Sequence, residues 1–136
     1  MTSATVVHLP RTLVNQLLHL AQLSPEQEIC GLIGRRDGHC ECYPIDNAAT
    51  DASVLFALNA SEQIAAIKSM HEQGQELFAI YHSHPSAAAV PSLKDIEEAD
   101  YLDALYLIIS LNTKGVLEMR AFYLRDQKVE EIELSL

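Results

Sequence analysis

The chain has 136 residues, 49% of them apolar and 21% charged, which is the composition of an ordinary globular protein long enough to bury a core. Nine basic residues against nineteen acidic ones give a formal charge of −10, which argues against nucleic acid as a partner because a phosphate backbone needs a Lys/Arg face. No run of about eighteen apolar residues speaks for a membrane helix, and the start Met1-Thr2-Ser3-Ala4-Thr5 lacks the basic and apolar regions of a signal peptide, so a cytoplasmic protein is expected.

Val6 to Leu9 reads as a short strand. Arg11 to Leu23 carries Leu13, Leu17, Leu20 and Leu23 among polar residues, an amphipathic helix preceded by Pro10 and closed by Ser24-Pro25. Ile29 to Gly34 is an apolar run with small residues, a buried strand with close backbone packing. Arg35-Arg36-Asp37-Gly38 marks a hairpin turn, and Cys40 to Ile45 returns as the partner strand. The three cysteines, Cys30, Cys40 and Cys42, make no disulfide framework, and Cys40-Glu41-Cys42 beside His39 reads as strand thiols acting as small core hydrophobes.

Asp46 to Ser53 is a polar, Ala-rich connection, and Val54 to Leu58 is a strand candidate. Asn59 or Ser61 caps a helix that runs through Gln73, where Gly74 stops it. Leu77 to Tyr81 forms a strand that delivers His82 and His84 at its end. Pro85 to Pro91 is a loop, and Ser92 opens a helix to about Tyr101. Leu105 to Leu111, Leu117 to Leu124 and Lys128 to Leu134 close the chain as strands, separated by Asn112-Thr113-Lys114-Gly115 and Arg125-Asp126-Gln127. With no repeat and no linker, residues 1–136 are expected to form one α+β domain around a mostly antiparallel or mixed sheet.

The chemistry concentrates in His82-Ser83-His84-Pro85 and Ser92-Leu93-Lys94-Asp95. Side chains one residue apart on a strand project from the same face, so His82 and His84 form a pair while Ser83 points away. Asp95, after a Pro-containing loop, completes a set of three ligands, the number that leaves one position of a catalytic zinc ion open. A hydrolase built on such an ion also needs a general base and a donor for the oxyanion. Ser92 is the candidate donor, although Ser-x-x-Asp is also a helix-capping pattern, and Glu28, ahead of the Gly-containing strand, is the candidate base. Spacing alone does not bring Glu28 to the ion. His8, His19, His39 and His71 have no partners in the pattern and read as solvated or core-edge residues.

Glu28, His82-Ser83-His84-Pro85, Ser92 and Asp95, in this order and at these intervals, resemble the signature of the JAMM (MPN-plus) family of zinc isopeptidases. The segment Glu28-Ile29-Cys30-Gly31-Leu32-Ile33-Gly34 is similar to the family's strand around its glutamate, and the similarity runs from about Val6 to about Leu134. The resemblance implies the MPN/JAB1 fold, a cytidine deaminase-like mixed β-sheet flanked by helices with a three-layer α/β/α tendency. It implies zinc on His82, His84 and Asp95, deprotonation of water on the ion by Glu28, and stabilisation of the oxyanion by Ser92.

Small prokaryotic members resemble peptidases that cut an amide or isopeptide bond at the C-terminal Gly-Gly of a ubiquitin-like, β-grasp sulfur-carrier protein, and such a carrier is the implied partner. The short Asp46 to Ser53 connection and Ser86 to Pro91 loop leave little room for the insertions with which eukaryotic deubiquitinases grip ubiquitin. Two other readings are a non-catalytic MPN scaffold, marked by loss of a ligand or of the glutamate, and a phage-tail or cell-wall peptidase, usually fused to a second catalytic domain. The oligomeric state is open, a homodimer included.

Overall fold

Each element of the computed structural model, which describes residues 6–112 and 117–135, follows from a local pattern. In chain order they are β1 (Val6–His8), α1 (Arg11–Gln22), β2 (Cys30–Arg36), β3 (His39–Ile45), α2 (Ala60–Glu72), β4 (Glu76–His84), α3 (Leu93–Glu97), β5 (Leu105–Ser110), β6 (Glu118–Arg125) and β7 (Lys128–Ser135). The start Met1 to Thr5 and the Thr113-Lys114-Gly115 part of the expected turn lie outside the described residues. The strands form one sheet in the order β1-β7-β6-β5-β4-β2-β3. β4 runs parallel to β5 and β1 parallel to β7, while the remaining neighbours are antiparallel. The mixed sheet is therefore the one the pattern predicts.

Strand β4 lies between β2 and β5 and is buried from Phe78 to His84. Its alternation sorts two cores. Ala79 and Tyr81 pack with Leu105, Leu107 and Ile109 of β5 beneath Leu13, Val14, Leu17 and Ala21 of α1. Ile80 packs on the opposite face with Leu32, Tyr106 and Ile108 beneath Ala66 and Met70 of α2. Helices thus cover both faces, and each fully buried Leu or Ile contributes about 1.5–3 kcal/mol by leaving water. Cys40 and Cys42 lean on the α1-side core, as expected of strand thiols.

Three expectations need correction. The buried stripe of α1 is Leu13, Val14, Leu17 and Ala21, a spacing of four that follows one helix face; Leu23 falls beyond the helix and is exposed. Val54 to Leu58 is no sheet strand, because local partners take its backbone: Leu55 N–H donates to the Asp51 carbonyl and Ala57 N–H to Asn47 Oδ1. Only a single bridge, Asn47 to Leu58, remains there. The helix opened by Ser92 ends at Glu97 rather than near Tyr101, since the Tyr101 N–H turns to the Tyr106 hydroxyl. Of the two candidate caps for α2, Asn59 is the one used, accepting from the Glu62 N–H at 3.0 Å.

Gly31 is needed for space. A Cβ there would stand 2.5 Å from Cε2 and Cζ of the buried Tyr81 ring. Gly31→Ala is expected to destabilise the protein by about 1–3 kcal/mol through overpacking, read as a fall in the urea midpoint without a change in slope.

Candidate active site

Alternation that sends Ile80 to the α2 face sends His82 and His84 there too, at the buried carboxyl end of β4. The chain then turns through Pro85 to Pro91 into α3. Ser92 caps α3 reciprocally: its Oγ accepts from the Asp95 N–H at 3.0 Å, and its own N–H donates to Asp95 Oδ2 at 2.9 Å. The cap swings Asp95 back over β4, where the same Oδ2 lies 3.1 Å from His82 Nε2 and 3.3 Å from His84 Nε2. The two Nε2 atoms are 3.1 Å apart. The structure thus brings together His82, His84 and Asp95, the three residues that the sequence pattern groups.

Charge balance at this triangle points to a cation. His84 Nδ1–H donates to the Ala88 carbonyl at 2.7 Å, so the neutral ring turns a lone pair, not a proton, toward the others. Electron-rich atoms so close repel unless a proton or a metal ion lies among them. Tetrahedral ligands about 2.0–2.1 Å from a divalent ion stand about 3.3 Å apart, which is the spacing seen. Burial opposes the Asp95 carboxylate, yet the His82 and His84 rings beside it hold its pKa well below the usual range. Complete burial lowers the His82 pKa. Burial also works against the His84 cation, but Asp95, the Ala88 carbonyl and Glu28 together hold its pKa above the ordinary imidazole value.

Glu28 closes the site from just ahead of β2, whose Cys30 pairs with His82 across the sheet. The Glu28 side chain is buried, and its Oε1 has no hydrogen-bond partner among the described residues. Glu28, His82 and His84 offer ligand atoms within 4.8 Å of one another, a looser set than the His82, His84 and Asp95 triangle. That tighter triangle suits direct coordination, and the Glu28 carboxylate stands one step farther out. Burial pushes the Glu28 pKa from 4.5 up to about 7, with His84 opposing the rise and Asp95 adding to it.

Two supports of this arrangement were not legible beforehand. Ser83 points away from the triangle, as alternation requires, and its Oγ accepts the Ile29 N–H at 2.8 Å while its N–H donates to the Ile29 carbonyl at 3.0 Å, so β4 grips the chain beside Glu28. Phe56 stacks flat on His82, with ring centroids 4.3 Å apart and 19° between planes, and fixes a ring whose Nδ1 has no partner among the described residues. No spacing rule links Phe56 to His82. Ser92 is exposed at the rim, and His8, His19, His39 and His71 are exposed away from the site.

Residues 10–125 match the family of prokaryotic homologues of the JAB domain. The chain belongs to this family. It is 32% identical over 89 residues to a desampylase of Haloferax volcanii (63% of this chain, 64% of that protein) and 32% identical over 95 residues to a probable TtuB-protein conjugate cleaving protease of Thermus thermophilus (69% and 64%). The chain thus spans just under two thirds of the length of these relatives. It is 28% identical over 122 residues to a CysO-cysteine peptidase of Mycobacterium tuberculosis, covering 88% of this chain and 83% of that one. A solution structure of a Desulfitobacterium hafniense protein superimposes with a TM-score of 0.78 at 31% identity, over 96% of this chain and 92% of the other. A JAB1/MPN domain protein of Archaeoglobus fulgidus shares the fold with a TM-score of 0.53 at 16% identity, the two covering each other in full. The fold is that of JAB1/MPN domains. Among the described residues no helix is long and apolar enough to cross a membrane.

Because Glu28 holds its proton more tightly folded than unfolded, its contribution to stability falls as pH rises from 4.5 to about 7 and stays low above. Glu28→Gln, neutral throughout, is expected to raise Tm of chelator-treated protein more at about pH 8 than at about pH 5.5. Equal shifts at both pH values, followed by calorimetry, would remove the buried-carboxylate account.

Proposed function

We propose that this protein is a zinc metallopeptidase, residues 1–136 acting as one JAMM/MPN-plus domain. It hydrolyses the amide or isopeptide bond at the C-terminal Gly-Gly of a ubiquitin-like sulfur-carrier protein. The observation that carries the proposal is the convergence of His82 Nε2, His84 Nε2 and Asp95 Oδ2 at 3.1–3.3 Å beside a buried, unpartnered carboxylate oxygen of Glu28. Relatives named as a conjugate-cleaving protease and a CysO-cysteine peptidase support the reaction class.

His82, His84 and Asp95 are the ligands. A bound zinc ion supplies a Lewis acid for the scissile carbonyl and brings the pKa of water down toward ~7. Glu28 is the base: its pKa of about 7 lets it take a proton from the attacking water and pass it to the leaving amine near neutral pH. Ser92 spends an acceptor position on capping α3, which leaves its O–H free to donate to the developing oxyanion.

The substrate tail binds in extended form along Leu55 to Leu58. Residues Ala57 and Asn59 turn their backbone bonds toward Ala48 and Asp46, so those of Phe56 and Leu58 face the opposite side, a free edge for another strand. A cavity of about 480 Å³, lined among others by Phe56, Leu58, Asp95, Tyr101 and Tyr106, adjoins that edge and receives the tail. Gly-Gly suits the narrow approach because it carries no Cβ.

The test is incubation with a β-grasp carrier whose Gly-Gly is extended by one residue, with products weighed by mass spectrometry. Wild type should cleave after the second glycine and contain stoichiometric zinc. His82→Ala and Asp95→Ala should lose zinc and cleavage together. Glu28→Gln should keep zinc while the rate falls about 10²–10⁴-fold, and Ser92→Ala should lose about 10²–10³-fold along with about 1 kcal/mol of helix capping. A zinc-loaded wild type that cleaves nothing would return the chain to a scaffold role.

A further inference from the structure

The main chain at Glu28 is gripped on every side. Its N–H donates to the Ala52 carbonyl at 2.6 Å, and its carbonyl accepts from Asn47 Nδ2 at 2.9 Å. One residue on, Ser83 takes both backbone groups of Ile29. The Ser83 contacts come from a neighbouring strand and need nothing further to hold them. The Ala52 contact comes from the irregular segment 48–57, which has no strand or helix of its own. Something must close that segment.

Asn47 does. Its amide carries two donors and two acceptor positions, and all four are used: Nδ2 to the Glu28 and Leu55 carbonyls, both at 2.9 Å, and Oδ1 from the N–H of Ala49 at 2.9 Å and of Ala57 at 3.0 Å. Beside the backbone bond from the Ala48 N–H to the Ala57 carbonyl at 2.7 Å, this one side chain ties the two ends of the 48–57 segment to each other and to Glu28. The same segment carries Phe56, which lies on His82. Among the described residues, the Asn47 side chain makes its hydrogen bonds to Glu28, Ala49, Leu55 and Ala57 and none to His82, His84 or Asp95.

We propose that Asn47 is the positioning residue for Glu28. It acts twice, by holding the Glu28 carbonyl itself and by closing the segment whose Ala52 carbonyl takes the Glu28 N–H. The inference rests on the peptidase reading only for its consequence in turnover; its structural half stands apart from that reading.

The experiment compares wild type, Asn47→Ala, Asn47→Asp and Glu28→Gln, singly and combined, by backbone amide hydrogen exchange, metal content and cleavage of the extended carrier. Asn47→Asp keeps the acceptor for Ala49 and Ala57 but turns a carboxylate oxygen, in place of the donors, toward the Glu28 and Leu55 carbonyls, so it breaks the Glu28 contact with the Ala49 and Ala57 bonds still made. Exchange at Glu28, whose N–H the Ala52 carbonyl holds, should quicken at least about tenfold in Asn47→Ala and by less in Asn47→Asp, while exchange at Ala49 and Ala57 quickens only in Asn47→Ala and the Ile80 amide in β4 is unchanged. Metal content should match wild type. Cleavage should slow at least about tenfold, and neither Asn47 substitution should slow it further in the Glu28→Gln background, since a residue acting through another gives a non-additive cycle. Unchanged exchange at Glu28 in both variants would overturn the proposal, as would full additivity with Glu28→Gln, the mark of a general structural role. Were wild type itself to cleave nothing, the peptidase reading would fail, and the exchange pattern alone would decide for or against Asn47.

Discussion

Period-two alternation in one buried strand governs this molecule. β4 has neighbours on both sides and helices above and below, so every residue from Phe78 to His84 must satisfy a defined environment. From Ala79 onward, past a bulge at Phe78 that leaves its ring on the α1 side, odd-numbered side chains turn away from the even-numbered Ile80, His82 and His84 on the α2 face. Where the strand emerges from the core, the same rule that buried Ile80 delivers two imidazoles to one face, and hands Ser83 to the other as a clasp on the chain before β2. A one-residue slip in register would invert all of this at once. The packing of Leu32, Tyr106 and Ile108 is therefore also what aims the histidines.

The site concentrates costs that the rest of the fold avoids. Glu28 is a buried carboxyl with an unpartnered oxygen, and His82 is a fully buried ring with an unpartnered nitrogen. Each such group opposes folding by about 1–3 kcal/mol. They persist because the surroundings over-determine them: Ser83, Ala52 and Asn47 fix the backbone at Glu28, and Phe56 fixes the His82 ring. Such costs are those expected of a preorganised polar site.

Most of the strands, the two long helices and the convergence of His82, His84 and Asp95 were legible because they rest on local rules. Strand alternation, an Asn cap ahead of α2, and a Ser-x-x-Asp cap each operate within a few residues of sequence. Segment 48–57 was not, since Val54 to Leu58 has a strand-like composition and only the distant Asn47 side chain and the Asp51 carbonyl divert its backbone into a loop. The approach of Glu28 to His82 depends on the antiparallel pairing of β2 with β4, across some fifty residues of chain, and spacing alone could not supply it. The resemblance to a known family supplied it instead. The short α3 was overextended because nothing in its sequence announces that the Tyr101 N–H is claimed by the Tyr106 hydroxyl.

Asp95 Oδ2 has two employers. It receives the Ser92 N–H that starts α3, and it faces the two imidazoles. A helix of five residues is far too short to persist by itself, so under the proposed assignment the ion and the helix turn hold each other in place. Ion retention then becomes a local folding equilibrium: each unwinding of α3 releases a ligand, and each departure of the ion loosens a cap. Under that assignment, the lifetime of one turn of helix at the rim would set the pace at which a bound ion exchanges with the surrounding solution.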